Sequence, residues 1–337
     1  MRTALVTGAT GQVGSHIVEQ LVADGWSVRG LARSDASAAL VTQLGATPLR
    51  GDIFDRGSLI AAARGVDVIF HTAAAITERG GWESYCRTNV DGTAAIIDTA
   101  AVSGARLLHL SSVAVYGSGG RYGKTKTHED VEFGRLGERS HYARSKRDSE
   151  QLVMDAHNAG RIWGTAVRPD VIYGPRDRQF VPRVAKALRL GVMPVIGGGR
   201  STLAVVHAAN VAQGAILAAT NDAAGGRAYN LANDYDVTFR DFYRLAGEGL
   251  GKHIRFVPVP LWTAKLGLRA FRVIDRVFLG GTLAVATEGS LSFMTRDNPF
   301  TSERAKTELG WKPLVRPEVG VPEAFRWWRE KERARQG

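Results

Sequence analysis

Two hydrophobic patterns alternate along this chain. Short, nearly unbroken apolar runs at Arg2–Val6, Ser27–Ala32 and Arg106–Leu110 predict buried strands. Gln12–Ala23 and His141–Ala156 instead space their apolar residues three and four apart, which predicts helices with one buried face. Strand, turn and helix in succession predict an α/β architecture, a doubly wound parallel sheet with helices on its faces.

The first strand-to-helix turn reads Thr7-Gly8-Ala9-Thr10-Gly11-Gln12-Val13-Gly14. Gly8 permits a tight exit from the strand, Gly11 leaves room for a pyrophosphate against the backbone, and Gly14 lets the helix lie close to the strand. The free N–H groups and positive dipole end of the following helix then face the phosphates. A glycine triplet alone says little in a chain with 39 glycines, but this one lies where the mechanism needs it, so a dinucleotide site of the Rossmann type is expected. The end of the second strand selects the dinucleotide, because a carboxylate there binds a ribose 2′-hydroxyl and an arginine suits a 2′-phosphate. Ala32 stands where the carboxylate would be and Arg33 follows, which favours NADP(H); Asp35 lies close enough to keep NAD(H) as the alternative.

The chemistry is expected from three side chains. A tyrosine titrates near 10 and is a poor proton donor or acceptor at neutral pH. In Tyr142-x-x-x-Lys146 the lysine shares the tyrosine's helix face, and its charge is expected to lower the phenol's pKa. Ser111-Ser112 follow an apolar strand and so lie at the carboxyl edge of a parallel sheet, where ligands bind. A hydroxyl there can hold a carbonyl oxygen while Tyr142 passes the proton. No G-x-S-x-G elbow surrounds Ser112, which argues against a hydrolase.

With these residues in place, the chain resembles an extended short-chain dehydrogenase/reductase of the NAD-dependent epimerase/dehydratase superfamily. The likeness runs nearly end to end. It comprises the glycine turn, Gly51-Asp52-Ile53, His71-Thr72-Ala73-Ala74, Asn89-Val90-Asp91-Gly92-Thr93, Ser111–Gly117, Arg168–Pro175 and the closing segment Ala305–Pro313. The resemblance implies Ser112 as carbonyl anchor, Tyr142 as general acid, and Lys146 as pKa-lowering cation and ribose ligand, with hydride passing between the nicotinamide and the carbonyl carbon. It implies cofactor contacts from Gly8, Thr10, Gly11, Gln12, Val13 and Gly14 at the turn. Arg33, Asp52 and Ile53 would lie along the adenosine, and Thr72, Ala73, Ala74, Asn89, Pro169 and Val171 along the rest.

The resemblance also implies interleaved lobes. Residues 1–172 and a return segment at about 207–233 would form the nucleotide domain, and 173–206 with 234–337 a smaller substrate lobe. Members that act on nucleotide sugars carry an arginine in an R-D-F-x-H-V-D-D-V run, but here Leu203 takes the arginine's place and Ala204 the aspartate's. Losing that phosphate fork points away from a pyrophosphate-bearing substrate, unless Arg176 or Arg200 compensates. Gly174-Pro175-Arg176-Asp177, Phe180–Arg183 and Met193–Gly199 are similar to the branch of 3β-hydroxysteroid dehydrogenase-like enzymes and dihydroflavonol-type reductases. That branch implies a secondary alcohol or ketone on an apolar skeleton. The alternatives are a nucleotide-sugar epimerase or dehydratase and, behind it, a non-catalytic dinucleotide sensor. The helices around Asn89–Ser103 and Tyr142–Ala159 imply a homodimer.

Composition fits a globular enzyme: 44% hydrophobic and 23% charged over 337 residues. The net charge of +11 is spread out, and no base-stacking motif accompanies it, so nucleic acid is not an expected partner. Leu261–Leu279 mixes Trp262, Leu266, Phe271 and Ile274 with Lys265, Arg269, Arg272 and Arg276, a basic amphipathic pattern. It reads as a helix capping the pocket or as a lid touching lipid at a membrane surface. No apolar run is long enough to span a bilayer. Cys86 is the single cysteine, no histidine has zinc-ligand spacing, and no leader precedes the first strand, so a metal-free cytoplasmic enzyme is expected.

Overall fold

The structure, a computed structural model, describes residues 1–76, 81–117, 126–232, 234–263 and 295–336. Its strands are β1 (Thr3–Thr7), β2 (Ser27–Ala32), β3 (Thr47–Arg50), β4 (Val68–His71), β5 (Arg106–Leu110), β6 (Gly164–Pro169), β7 (Val171–Tyr173), β8 (Val192–Ile196), β9 (Val205–His207), β10 (Ala228–Leu231) and β11 (Arg255–Val259). Seven of them form one parallel sheet in the order β10-β6-β5-β4-β1-β2-β3. Chain direction reverses its winding between β1 and β4, which opens a crevice at their carboxyl ends.

The sheet is buried on both faces because side chains alternate across it. Along β1, Ala4 and Val6 enter one apolar cluster while Leu5 enters another. The first cluster is closed by α1 (Gln12–Ala23), through Ile17, Val18 and Leu21, and by α8 (Ala208–Thr220), through Val211, Ala212 and Ala215. The second is closed by α3 (Arg56–Ala63), α5 (Gly92–Ser103) and α6 (His141–Asn158), through Leu59, Ile96, Ile97 and Val153. Each such buried aliphatic side chain stabilises the fold by about 1.5–3 kcal/mol. The doubly wound architecture expected from the alternation is therefore the one observed, with α1 spanning the residues its periodicity predicts.

Outside the sheet, α7 (Phe180–Ala187), α9 (Phe239–Leu250) and α11 (Pro317–Gln336) share a third core with Tyr173, Leu203, Phe242 and Phe325. Two parallel pairs, β7 with β9 and β8 with β11, attach to it. Remaining helices are α2 (Asp35–Gln43), the short α4 (Gly81–Tyr85) and α10 (Glu303–Glu308). Among the described residues no helix is long and apolar enough to cross a membrane. In the amphipathic stretch expected at Leu261–Leu279, residues 264–279 lie outside the described residues, as do 118–123 of the glycine-rich stretch after Ser112.

Candidate active site

The site forms along the carboxyl ends of β1, β4 and β5. β1 ends at Thr7, and Gly8 turns the chain with φ 70°, a value a side chain would strain. The Gly11 N–H donates to the Gly8 carbonyl at 2.8 Å and closes the turn. A Cβ on Gly14 would fall 2.2 Å from the Gly8 oxygen and 2.7 Å from Thr72 Oγ1, so α1 can lie this close only with glycine there. Among the described residues no side chain caps α1, and its first turn holds no acid, which leaves N–H groups and dipole facing the crevice. Gln12 Nε2 and Ser111 Oγ are buried polar atoms without a partner among the described residues. Among buried groups such orphans are rare and call for a ligand or water. The cradle, the open helix end and the orphaned donors fit a dinucleotide.

Loop residues Thr72, Ala73 and Ala74 lie directly against this turn. Thr72 Oγ1 donates to the Thr7 carbonyl at 2.7 Å, and the Ala73 N–H lies 3.5 Å from Thr7 Oγ1. Behind them stands a clamp that spacing alone did not reveal. His71 Nδ1 meets Thr7 Oγ1 at 2.8 Å, and His71 Nε2 meets Thr93 Oγ1 at 3.1 Å. The Thr93 hydroxyl donates to the Asn89 carbonyl at 2.6 Å, so it must accept from Nε2–H, and Nδ1 then accepts from Thr7. Burial, with the Lys146 charge adding to it, holds His71 at about 3, so the ring is neutral.

Asn89, expected beside the cofactor, is 2% exposed and has its amide fully engaged. Oδ1 accepts from the Ala75 N–H at 2.7 Å, while Nδ2 donates to the Ala75 carbonyl at 3.0 Å and Ser145 Oγ at 2.9 Å. Its side chain therefore shapes the loop and ties it to α6. Asn89 sits in a π-helical segment, Cys86–Asp91, a widened turn that is frequent at functional sites. Val13 and Ile53 are likewise core residues, 4% and 8% exposed, and Thr10 lines the turn half-buried.

At the far edge, Arg33 and Asp52 meet loosely, Nη1 to Oδ2 at 3.9 Å. So weak and open a pair leaves the guanidinium free to take an anion. Asp35 opens α2 and turns to Arg50 at 3.3 Å. Pro169 ends β6 and Val171 starts β7, both on the carboxyl side of the sheet.

Ser112, Tyr142 and Lys146 converge beyond β5. Ser112 caps the 3₁₀ turn Val113–Tyr116, accepting from the Ala114 N–H at 3.2 Å, and shares a hydrogen bond with the Tyr142 hydroxyl. Lys146, 3% exposed, donates from Nζ to the Leu110 carbonyl at 2.6 Å. Burial lowers its pKa from 10.5 to about 8, although the Glu150 charge one turn on opposes the fall. The expectation that Lys146 lowers the Tyr142 phenol is corrected in this geometry. Burial pushes Tyr142 upward, the Ser112 hydrogen bond opposes this, and Tyr85 pushes it further. Tyr85 packs edge-on to Tyr142, ring centroids 6.3 Å apart, and its hydroxyl donates to the Ile76 carbonyl at 2.9 Å.

A second buried layer supports α6. Arg168, 5% exposed, holds Glu150 through Nε at 3.0 Å and Nη2 at 2.5 Å, and donates from Nη1 to the Tyr116 hydroxyl at 2.7 Å. His109 Nε2 meets Ser149 Oγ at 3.1 Å. His207 caps α8, its Nδ1 accepting from the Ala209 N–H at 3.2 Å, and is packed at 2% exposure. His141 is half-buried, its ring 6.5 Å from each of the Trp82 and Tyr85 rings. Arg176 is bound to Glu19, Nη1 to Oε1 at 2.9 Å, and so is already neutralised by α1.

This fold and site define a dinucleotide-dependent short-chain dehydrogenase/reductase. The model of the NAD dependent epimerase/dehydratase family matches residues 4–232, and the chain belongs to that family, on its 3β-hydroxysteroid dehydrogenase-like branch. The chain is 32% identical to the 4-hydroxy-2-methyl-3-oxo-4-farnesyl-3,4-dihydroquinoline-1-oxide ketoreductase of Stigmatella aurantiaca, over 95% of either chain. It is 30% identical to the decarboxylating sterol-4-alpha-carboxylate 3-dehydrogenase of Mus musculus, over 94% of this chain and 88% of that one. Among solved structures, gox2253 superposes with a TM-score of 0.74 at 26% identity and 99% coverage of both chains.

Proposed function

We propose that the enzyme interconverts a secondary alcohol and a ketone on an apolar, steroid-like, flavonoid-like or long-chain skeleton, with NADP(H) preferred over NAD(H). The observation that carries this is the hydrogen-bonded Ser112–Tyr142 pair beside a buried Lys146 held at the end of β5, two strands across the sheet from the glycine turn. The turn at Gly8, Gly11 and Gly14 would hold the pyrophosphate, Arg33 the 2′-phosphate, and Lys146 the nicotinamide ribose. When bound, the nicotinamide supplies or accepts the hydride. Ser112 holds the substrate oxygen so that it lies against the Tyr142 hydroxyl, and Tyr142 gives or takes the proton. Lys146, one helical turn on from Tyr142, keeps its ammonium at the same sheet edge through the Leu110 carbonyl.

Two features support an apolar substrate. Leu203, at the place of the phosphate-binding arginine, is 1% exposed within the core around Phe242, and Arg176 is occupied by Glu19. The relatives act, by their names, on a farnesylated quinoline and on a sterol. In this reading 173–206 and 234–337 form the substrate lobe, the enzyme is cytoplasmic, and α5 and α6 pair two copies. The test is absorbance at the reduced-nicotinamide band while apolar ketones and secondary alcohols are screened against both cofactors. Turnover of bulky ketones with NADPH supports the proposal. Turnover confined to nucleotide sugars, with NAD(H) retained through purification, overturns it.

A further inference from the structure

We propose that the outer face of the β8–β11 sheet is a docking surface for an anionic lipid bilayer. The two strands pair in parallel with Val192 beside Arg255 and Pro194 beside Val257. Partners in register point to the same side, so Val192, Pro194, Arg255 and Val257 share one face, while Met193, Val195 and Phe256 pack inward on the third core. The outer face is open: Val192 is 42% exposed and Val257 40%. Leu190, in the turn that leads into β8, is 82% exposed, and Leu261 and Trp262, just after β11, are 43% and 68% exposed. Single exposed apolar residues are ordinary, but five from two adjoining chain segments form a patch of the kind that marks an interaction surface.

The charges framing the patch select its occupant. Lys186, Arg189, Lys252 and Arg255 are all exposed, and Lys252 Nζ, bonded to the Arg189 carbonyl at 2.6 Å, links the two segments. Neither 186–200 nor 249–263 contains an aspartate or glutamate, so no carboxylate on these segments neutralises the cations. The nearest on the flanking helix, Glu248, is taken up by Arg244 at 2.5 Å. An apolar centre with a basic rim, free of acids along 186–200 and 249–263, and an exposed tryptophan matches the boundary between headgroups and acyl chains, where indole rings settle and cations meet anionic lipid. A second copy of this chain would bring the same cations face to face. The inference does not depend on the catalytic reading.

The test is co-sedimentation of the whole protein with vesicles of phosphatidylcholine alone and with added phosphatidylglycerol, at low and high salt, without substrate. Binding is expected only with phosphatidylglycerol and is expected to weaken in salt. Each basic residue close to such a surface raises partitioning by about fivefold, so Arg189→Glu with Arg255→Glu should reduce it more than about twentyfold. Leu190→Ser with Val257→Ser should weaken it at constant charge, whereas Arg333→Glu with Arg335→Glu on α11 should change it little. Cofactor binding, read by fluorescence, confirms that each variant is folded. Absence of binding to either vesicle, or equal losses from the α11 pair, overturns the proposal. So does a dimer in lipid-free buffer that the Leu190→Ser, Val257→Ser variant dissociates, since the face would then serve a second copy.

Discussion

Replacing Lys146 by methionine should expose an energetic cost that the fold carries for the site. The ammonium is 3% exposed, and burial lowers its pKa from 10.5 to about 8. Because the folded state holds this proton less tightly than the unfolded chain, the penalty is present in full below about pH 8. It disappears as pH rises towards 10.5, where neither state is charged, so this residue makes stability increase with pH across that window. At about 1.4 kcal/mol per tenfold in protonation, the cost is about 3 kcal/mol. Methionine keeps the length and lacks the titration. Urea unfolding of both proteins from about pH 7 to about pH 10 should therefore show wild type gaining about 3 kcal/mol relative to Lys146→Met, all other groups cancelling in the difference. The hydrogen bond to the Leu110 carbonyl sets the absolute offset between the curves but not their divergence. Parallel curves would show that Lys146 is not desolvated in the fold and would refute the reasoning.

Three further outcomes follow from the geometry. Gly14→Ala places a methyl 2.2 Å from the Gly8 carbonyl oxygen, and should lower stability by about 1–3 kcal/mol in urea unfolding while weakening cofactor binding. Arg168→Met leaves Glu150 buried and uncompensated, a loss of about 3–5 kcal/mol; adding Glu150→Leu should recover much of it, and a double-mutant cycle reads the coupling. Arg33→Ala should weaken NADPH binding by at least about tenfold and NADH little, as measured by fluorescence titration; equal effects would show that Arg33 does not read the 2′-phosphate.

The sequence made some parts of this structure legible and hid others, for physical reasons. Features built within one turn or one helix were readable: the glycine turn, the extent of α1, the shared helix face of Tyr142 and Lys146. Contacts made across the sheet were not. The clamp from Thr7 through His71 and Thr93 to Asn89 joins residues up to 86 positions apart, and nothing in the local pattern of Asn89 shows that Ala75 and Ser145 consume its amide. Arg176 looked free in sequence, but its partner Glu19 lies 157 residues away. The Tyr142–Lys146 spacing places both groups on one helix face, yet it carries no information about solvent. That is why the phenol was expected to fall and burial instead raises it. Lys186, Arg189, Lys252 and Arg255 looked like scattered surface charge until β8 and β11 paired and brought them around one apolar face.

The central claim, proton transfer by Tyr142 beside a bound nicotinamide, is tested most directly by Tyr142→Phe. The measurement pairs fluorescence titration of NADPH with turnover of whichever ketone the screen identifies. Removing one hydroxyl from a half-buried ring should leave cofactor affinity within about threefold, while turnover falls by at least about a hundredfold. Turnover close to wild type with intact cofactor binding would show that Tyr142 is not the proton donor and would contradict the mechanism proposed for this site.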